Sequence, residues 1–145
     1  MGQQQLLLVI LVTIIVGIAT VVAINTFSSA SDSANFDAVR QDVASIAASA
    51  QGYYIKPTML GGGGQDFTSI TFNDIAFAAD SISANGLNAL NSNGRYVISG
   101  GAAAEFTITA HPASSITGAP TLSSTATNTM AATITPDNLA WTDSN

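Results

Sequence analysis

The sequence opens on a long run of aliphatic side chains. From Leu6 to Ile24, only Thr13, Gly17 and Thr20 interrupt the apolar pattern. As a helix, these 19 residues would extend about 29 Å at about 1.5 Å per residue, close to the roughly 30 Å hydrocarbon core of a bilayer. We predict a helix that lies in a membrane or among copies of itself. The residues assigned to this apolar half are Leu6, Leu7, Leu8, Val9, Ile10, Leu11, Val12, Ile14, Ile15, Val16, Gly17, Ile18, Val21, Val22 and Ile24.

Apolar positions then recur with a helical period over residues 32–54. Steps of three or four residues place them on one helical face, whereas Asp37, Arg40 and Gln41 fall largely elsewhere. We predict that this amphipathic half packs on the rest of the chain. Its apolar face consists of Phe36, Val39, Val43, Ile46, Ala47, Ala50, Tyr53 and Tyr54.

Two polar or glycine-rich stretches limit the helix. The segment Ser28–Ser33 either caps a second helix or lets a continuous helix unwind. Pro57 and the run Gly61–Gly64 should end the helix near Tyr54, because proline disfavours a helical residue before it and glycine is entropically costly in regular elements. The predicted organisation is an N-terminal helix over residues 1–56, a flexible Gly-rich loop over 57–66 and a small β-rich head over 67–145.

The head has the alternation and turn signals of short strands. Residues 67–72 form either a short strand or the end of the loop, and residues 73–93 are ambiguous. A hairpin is predicted from strands at 95–99 and 104–110, with a further strand at 129–135. The predicted fold class is α+β, with a long N-terminal helix packed on a small antiparallel sheet.

Charge and composition narrow the functional classes. Nine acidic against three basic residues give a net charge of -6, and the first ionisable side chain is Asp32. Direct nucleic-acid binding by a single subunit is not expected, because it requires clustered Lys and Arg. Cysteine is absent, which removes disulfides and thiolate metal sites.

The sequence offers no constellation for catalysis. His111, the only histidine, precedes Pro112, and we expect it at the surface in a turn. The four glycines at Gly61–Gly64 lack the Lys-Ser/Thr of a phosphate-binding loop. We therefore predict no enzyme, no cofactor and no metal. The aromatic residues are expected in the core or at subunit contacts, with Trp141 a candidate for contact with an adjacent head.

Hydropathy alone leaves alternatives for the apolar run. A cleaved secretory signal is not expected, because Met1–Gln5 has no basic side chain and the run exceeds the usual 7 to 15 or so apolar residues. A lone transmembrane anchor has the same hydropathy. A monomeric membrane-anchored cell-surface binding module therefore stays as the alternative function.

The N-terminal part of the chain combines a short polar start, a long apolar run and an amphipathic continuation: GQQQ, LLLVILVTIIVGIATVVAI and AVRQDVASIAASAQGYY. This combination resembles the type IV pilin family, including pseudopilins and archaeal pilins. The resemblance covers mainly residues 1–54. It implies a subunit that waits in the cytoplasmic membrane and is polymerised with its own copies, by pilus assembly machinery, into an extracellular cell-surface filament. It leaves adhesion, motility, DNA uptake and secretion open as the filament's role.

Some residues depart from the common bacterial pattern of that family. There is no initial Phe, no proline breaks the apolar run, and Gln5 stands where the family usually has a glutamate that pairs with a neighbour's N-terminal amine. The resemblance implies that Gln5 makes this assembly contact through a hydrogen bond. Processing after Gly2 or further upstream both remain open. The Ser/Thr-rich segment 107–135 is either plain exposed surface or a carrier of O-linked glycans.

Overall fold

The computed structural model describes residues 2–142, which divide into two units with a boundary between Ala34 and Asn35. Helix α1 runs over Gly2–Ile55 and contributes to both units. The second unit adds 3₁₀ turns at Thr58–Leu60 and Ala113–Ser115. Its strands are β1 (Ser81–Ile82), β2 (Asn88–Asn91), β3 (Gly94–Ser99), β4 (Phe106–Pro112), β5 (Met130–Ile134) and β6 (Leu139–Trp141).

Helix α1 continues through the polar segment Ser28–Ser33. Within it, the Ser33 hydroxyl donates to the Ser29 carbonyl at 3.0 Å, a bond that satisfies the side chain inside the helix. Neither of the two expected interruptions, a cap for a second helix or an unwound stretch, is present there.

The six strands form one antiparallel sheet in sequence order. The predicted hairpin is present as β3 and β4, with Tyr96 opposite Ala110, and the further predicted strand is β5. Strands β1 and β2 come from the ambiguous stretch 73–93. One long helix with a small antiparallel sheet confirms the predicted α+β class.

The core of the second unit lies between the helix and one face of the sheet. Val39, Val43, Ile46 and Ala50 on α1 are fully buried. On the sheet, burial alternates along β3, β5 and the first five residues of β4, as expected when every second side chain points to the same face. The inward sheet residues include Tyr96, Ile98, Phe106, Ile108, Ala132 and Ile134.

Residues 67–77 form turns, so the loop alternative for 67–72 is the one observed. Their apolar side chains nevertheless pack into the core: the Phe67 ring lies 4.7 Å from that of Tyr54 and 5.0 Å from that of Phe106, centroid to centroid. Phe77 similarly contacts Tyr96 at 5.2 Å. The segment therefore fills the core with aromatic rings, without joining the sheet.

The glycine run, expected to be a flexible loop, instead caps the C-terminal end of α1. The Gly63 amide donates to the Tyr53 carbonyl at 2.8 Å and the Gly64 amide to the Lys56 carbonyl at 3.0 Å. A side chain on Gly62 would overlap the Lys56 carbonyl oxygen, and Gly64 has a positive φ of 59°. The run is thus rich in glycine because the chain must fold tightly back on the helix end.

Candidate functional site

The apolar half of α1 presents its side chains to the surroundings. The large aliphatic residues from Leu6 to Ile24 are between 48% and 66% exposed, and they lie all round the helix. The helix is long and apolar enough to cross a membrane by length and composition, which is consistent with membrane association. So extensive an apolar surface is stable only in lipid or against other protein.

Hydroxyl groups within this half are satisfied by the helix itself. Thr13 and Thr20 in this half, and Thr26 just after it, donate to the carbonyls of the residues four positions earlier at 2.7, 2.8 and 2.9 Å. Because a hydroxyl without a partner is costly in an apolar medium, these bonds let threonine occur in the run. Gly17 is open, with nothing within 4 Å of the position that a methyl group would occupy there.

Gln5 lies in the first turn of α1 with an exposed side chain. The first four amides of a helix have no partner within it, so this turn offers hydrogen-bond donors beside the Gln5 amide. Its contact with a neighbour's amine stays a prediction.

The predicted amphipathic face is where the second unit is held together. Val39, Val43, Ile46, Ala47, Ala50 and Tyr53 are buried, and Phe36 and Tyr54 are partly buried against the same core. Polar bonds border this face: the Asn35 side-chain amide donates to the Asn93 carbonyl at 2.9 Å, and that of Gln51 to the Thr135 carbonyl at 3.2 Å.

Asp42 lies at the centre of a polar cluster that the sequence did not predict. One carboxylate oxygen, Oδ2, accepts from the Tyr96 hydroxyl at 2.6 Å and from the side-chain amides of Asn93 and Asn91 at 2.8 and 2.9 Å. Burial, and then the bond to Asp42, raise the pKa of Tyr96. A usable signal was the position of Asp42, three residues after Val39 and four before Ile46, at the apolar face.

His111 is buried at 8% exposure within β4, so the prediction of a surface histidine in a turn was wrong. Ala126, which forms an isolated antiparallel bridge with Ile116, donates its amide hydrogen to His111 Nδ1 at 3.2 Å. The neighbouring Arg95 donates to the Ser124 carbonyl at 2.6 Å. Burial, and then the charge of Arg95, lower the pKa of His111.

Among residues 2–142, no group of three or more His, Asp or Glu side chains is placed to hold a metal ion. In the Ser/Thr-rich segment, Ser114, Thr117, Ser123 and Thr125 are exposed residues whose hydroxyl groups a glycan would be able to reach.

Comparison with known proteins gives no assignment, since no family model, curated protein or solved structure matches the chain. The functional interpretation therefore depends on the chain's own residues. Its strongest feature is the exposed apolar half of α1.

Proposed function

We propose that this chain is the structural subunit of an extracellular type IV pilus-like filament. The observation that carries the proposal is the apolar surface of Leu6–Ile24, which extends all round the helix and is exposed in the single chain. In this proposal the subunit is held in the cytoplasmic membrane before assembly, and assembly machinery transfers it into a polymer of its own copies.

Energetics favour a bundle of these helices over exposure to water. Burying one aliphatic side chain contributes about 1.5 to 3 kcal/mol, so even ten or so of them in a filament core would outweigh the entropy lost on association. No ionisable side chain precedes Asp32 to oppose such burial. The acidic second unit supports a position on the outside, where it keeps the polymer soluble.

Electron microscopy of the cell surface, followed by reconstruction of purified fibres, tests this proposal. We expect residues 6–24 in a central helical bundle, with the second units outside. Fibres whose density lacks an ordered bundle of these segments would contradict the proposal. Mass spectrometry of the same fibres would define the mature N-terminus and any O-linked glycans.

A substitution within the apolar half sharpens the test. Ile14→Asp places a charge in the proposed bundle and should reduce fibre yield at least tenfold, because an unpaired buried carboxylate is strongly destabilising. The matched control is Ala119→Asp, which adds the same charge at an exposed position of the second unit. Membrane-associated subunit is quantified for both variants, so that failure to insert is distinguished from failure to polymerise.

The competing function is a monomeric membrane-anchored binding module. It predicts that detergent extraction releases single chains and that the cells carry no fibres containing this chain. Ile14→Asp would then reduce membrane retention alone.

A further inference from the structure

Exposed large apolar side chains are few in the second unit, and most of them cluster at one place. Within residues 35–142 they are Ile55, Met59, Leu60 and Trp141. Ile55, Met59 and Leu60, which we name the apolar corner, fall within six residues at the C-terminal end of α1, and Met59 is 96% exposed. The 3₁₀ turn Thr58–Leu60 buries none of its residues. Packing in the core of the unit therefore does not explain why these residues are apolar.

The backbone under the apolar corner is held by hydrogen bonds. The amides of Leu60 and Gly62 donate to the Pro57 carbonyl at 3.0 and 3.1 Å, and the glycine cap fastens the following residues to α1. A surface that is already ordered loses little conformational entropy when it binds. The apolar corner is thus presented in a preformed geometry.

A basic residue, Lys56, follows Ile55 of the apolar corner in the sequence. In the described part of the chain, Arg40 pairs with Asp37 at 3.0 Å and Arg95 donates to Asn88 and Ser124, whereas Lys56 is exposed and makes no ion pair. The complementary surface must combine an exposed apolar group with a carboxylate. The chain itself is such a partner, because nine of its residues are acidic.

The edge of the sheet at β6 has these two features together. Trp141, at the end of β6, is 40% exposed, and Asp137 is exposed in the turn before the strand. Strand β6 is the last strand of the sheet and pairs only with β5 in the described residues. Exposed tryptophan side chains are frequent anchors of protein interfaces.

We infer that the apolar corner and Lys56 of one subunit dock on Trp141 and Asp137 at the β6 edge of a second copy of this chain. The inference rests on the proposed filament function. In a filament this contact is head-to-tail: the apolar corner of each subunit meets the β6 edge of the next one. Contacts of this kind repeat into an open helical polymer when the rotation between subunits does not close a ring. A small contact suffices, because neighbouring subunits tethered through their helices meet at a high effective concentration.

A charge exchange between the two surfaces tests the pairing in fibres. Lys56→Asp and Asp137→Lys should each lower the resistance of fibres to mild detergent, or their length, at least threefold. The double variant should recover most of the lost resistance or length. Ala119→Asp serves as the charge control and should behave as the unmodified chain. If both single variants form fibres of unmodified length and resistance, or the double variant shows the summed loss, the inference is overturned.

Cysteine cross-linking gives an independent measurement, because the chain contains no cysteine. The cysteines are placed at Thr58 and Asn138, exposed residues next to the proposed contact side chains, which stay unchanged. Fibres of the Thr58→Cys, Asn138→Cys double variant should yield a covalent ladder of multimers under oxidation, whereas each single variant should stay monomeric in denaturing gels. A dimer from Thr58→Cys alone would indicate a symmetric contact and overturn the inference, as would a double variant that gives no ladder.

These outcomes separate the inference from the proposed function. If the unmodified chain forms no fibres, the filament proposal fails together with the inference that rests on it. If the unmodified chain forms fibres with a central bundle but neither the charge exchange nor the cross-link behaves as expected, the filament proposal stands and the docking surface is wrong.

Discussion

At the scale of single residues, Asp42 connects α1 to the sheet. Three donors, from β2, from β3 and from the turn between them, converge on one carboxylate oxygen, next to a fully buried apolar face. Hydrogen bonds to a charged group are stronger than neutral ones, and removing a shared acceptor leaves every donor without a partner. The exposed carboxylate of Asp37 on the same helix pairs only with Arg40, and exposed ion pairs contribute little to stability.

Asp42→Ala should therefore lower the free energy of unfolding of the second unit by about 2–4 kcal/mol. The control is Asp37→Ala, which removes an exposed pair with Arg40 and should cost less than about 1 kcal/mol. Chemical denaturation monitored by the fluorescence of the single tryptophan measures both variants. Equal effects of the two substitutions would show that the cluster adds no particular stability.

His111 makes the stability depend on pH. Its pKa in the folded chain is lowered by burial and by Arg95, so folding favours the neutral imidazole. The contribution of His111 is fully present above the unfolded-state value of about 6.5, and it is lost as the pH falls towards the folded pKa.

The His111→Gln variant isolates this term. Between pH 7.5 and 5, the unmodified chain should lose more stability than the variant, because glutamine does not titrate. Denaturation midpoints at several pH values provide the measurement. If the two pH profiles are parallel over this interval, protonation of His111 is not linked to folding.

At the scale of elements, the C-terminal end of α1 and the glycine run that caps it are joined by backbone hydrogen bonds. Gly62→Ala should lower the free energy of unfolding by about 1–3 kcal/mol, because the added methyl group overlaps the Lys56 carbonyl and must displace the cap. Gly52→Ala is the matched control within the helix, where nothing lies within 4 Å of the new methyl group. Gly52→Ala should raise the free energy of unfolding by about 0.5–1 kcal/mol. Thermal unfolding should therefore show a lower midpoint temperature for Gly62→Ala and a higher one for Gly52→Ala.

Elements with a clear period were predictable from the sequence. Between Phe36 and Tyr54 the apolar positions of α1 recur every three or four residues. Burial alternates along β3, β5 and the first five residues of β4. Strand β2 was not predictable in this way, since Asn88–Asn91 has no β-branched or aromatic residue and becomes a strand by pairing with β3. The roles of Asp42 and His111 depend on partners distant in the sequence, which local patterns do not encode.

At the scale of the whole molecule, the distribution of charge separates two environments. The first ionisable side chain is Asp32, so the first unit contains almost none and the second carries most of the net charge of -6. The two parts of the chain thus have opposite solvent preferences. A single chain in plain buffer satisfies only one of them.

Removal of detergent from the purified full-length chain should consequently produce fibres or aggregates. The expected driving force is the apolar surface of Leu6–Ile24, each buried side chain contributing about 1.5–3 kcal/mol. Analytical ultracentrifugation at decreasing detergent concentration follows the process. A sharp monomer peak in detergent-free buffer would contradict both the membrane and the filament environments proposed for this segment.

The threonine bonds of α1 bear on how such a subunit changes surroundings. Thr13, Thr20 and Thr26 keep their hydroxyl protons on the helix's own carbonyls, so neither phospholipid tails nor sister helices need to supply an acceptor. These three hydroxyl groups therefore keep their hydrogen bonds whether the helix is surrounded by lipid or by protein. The choice between those two surroundings depends on van der Waals packing.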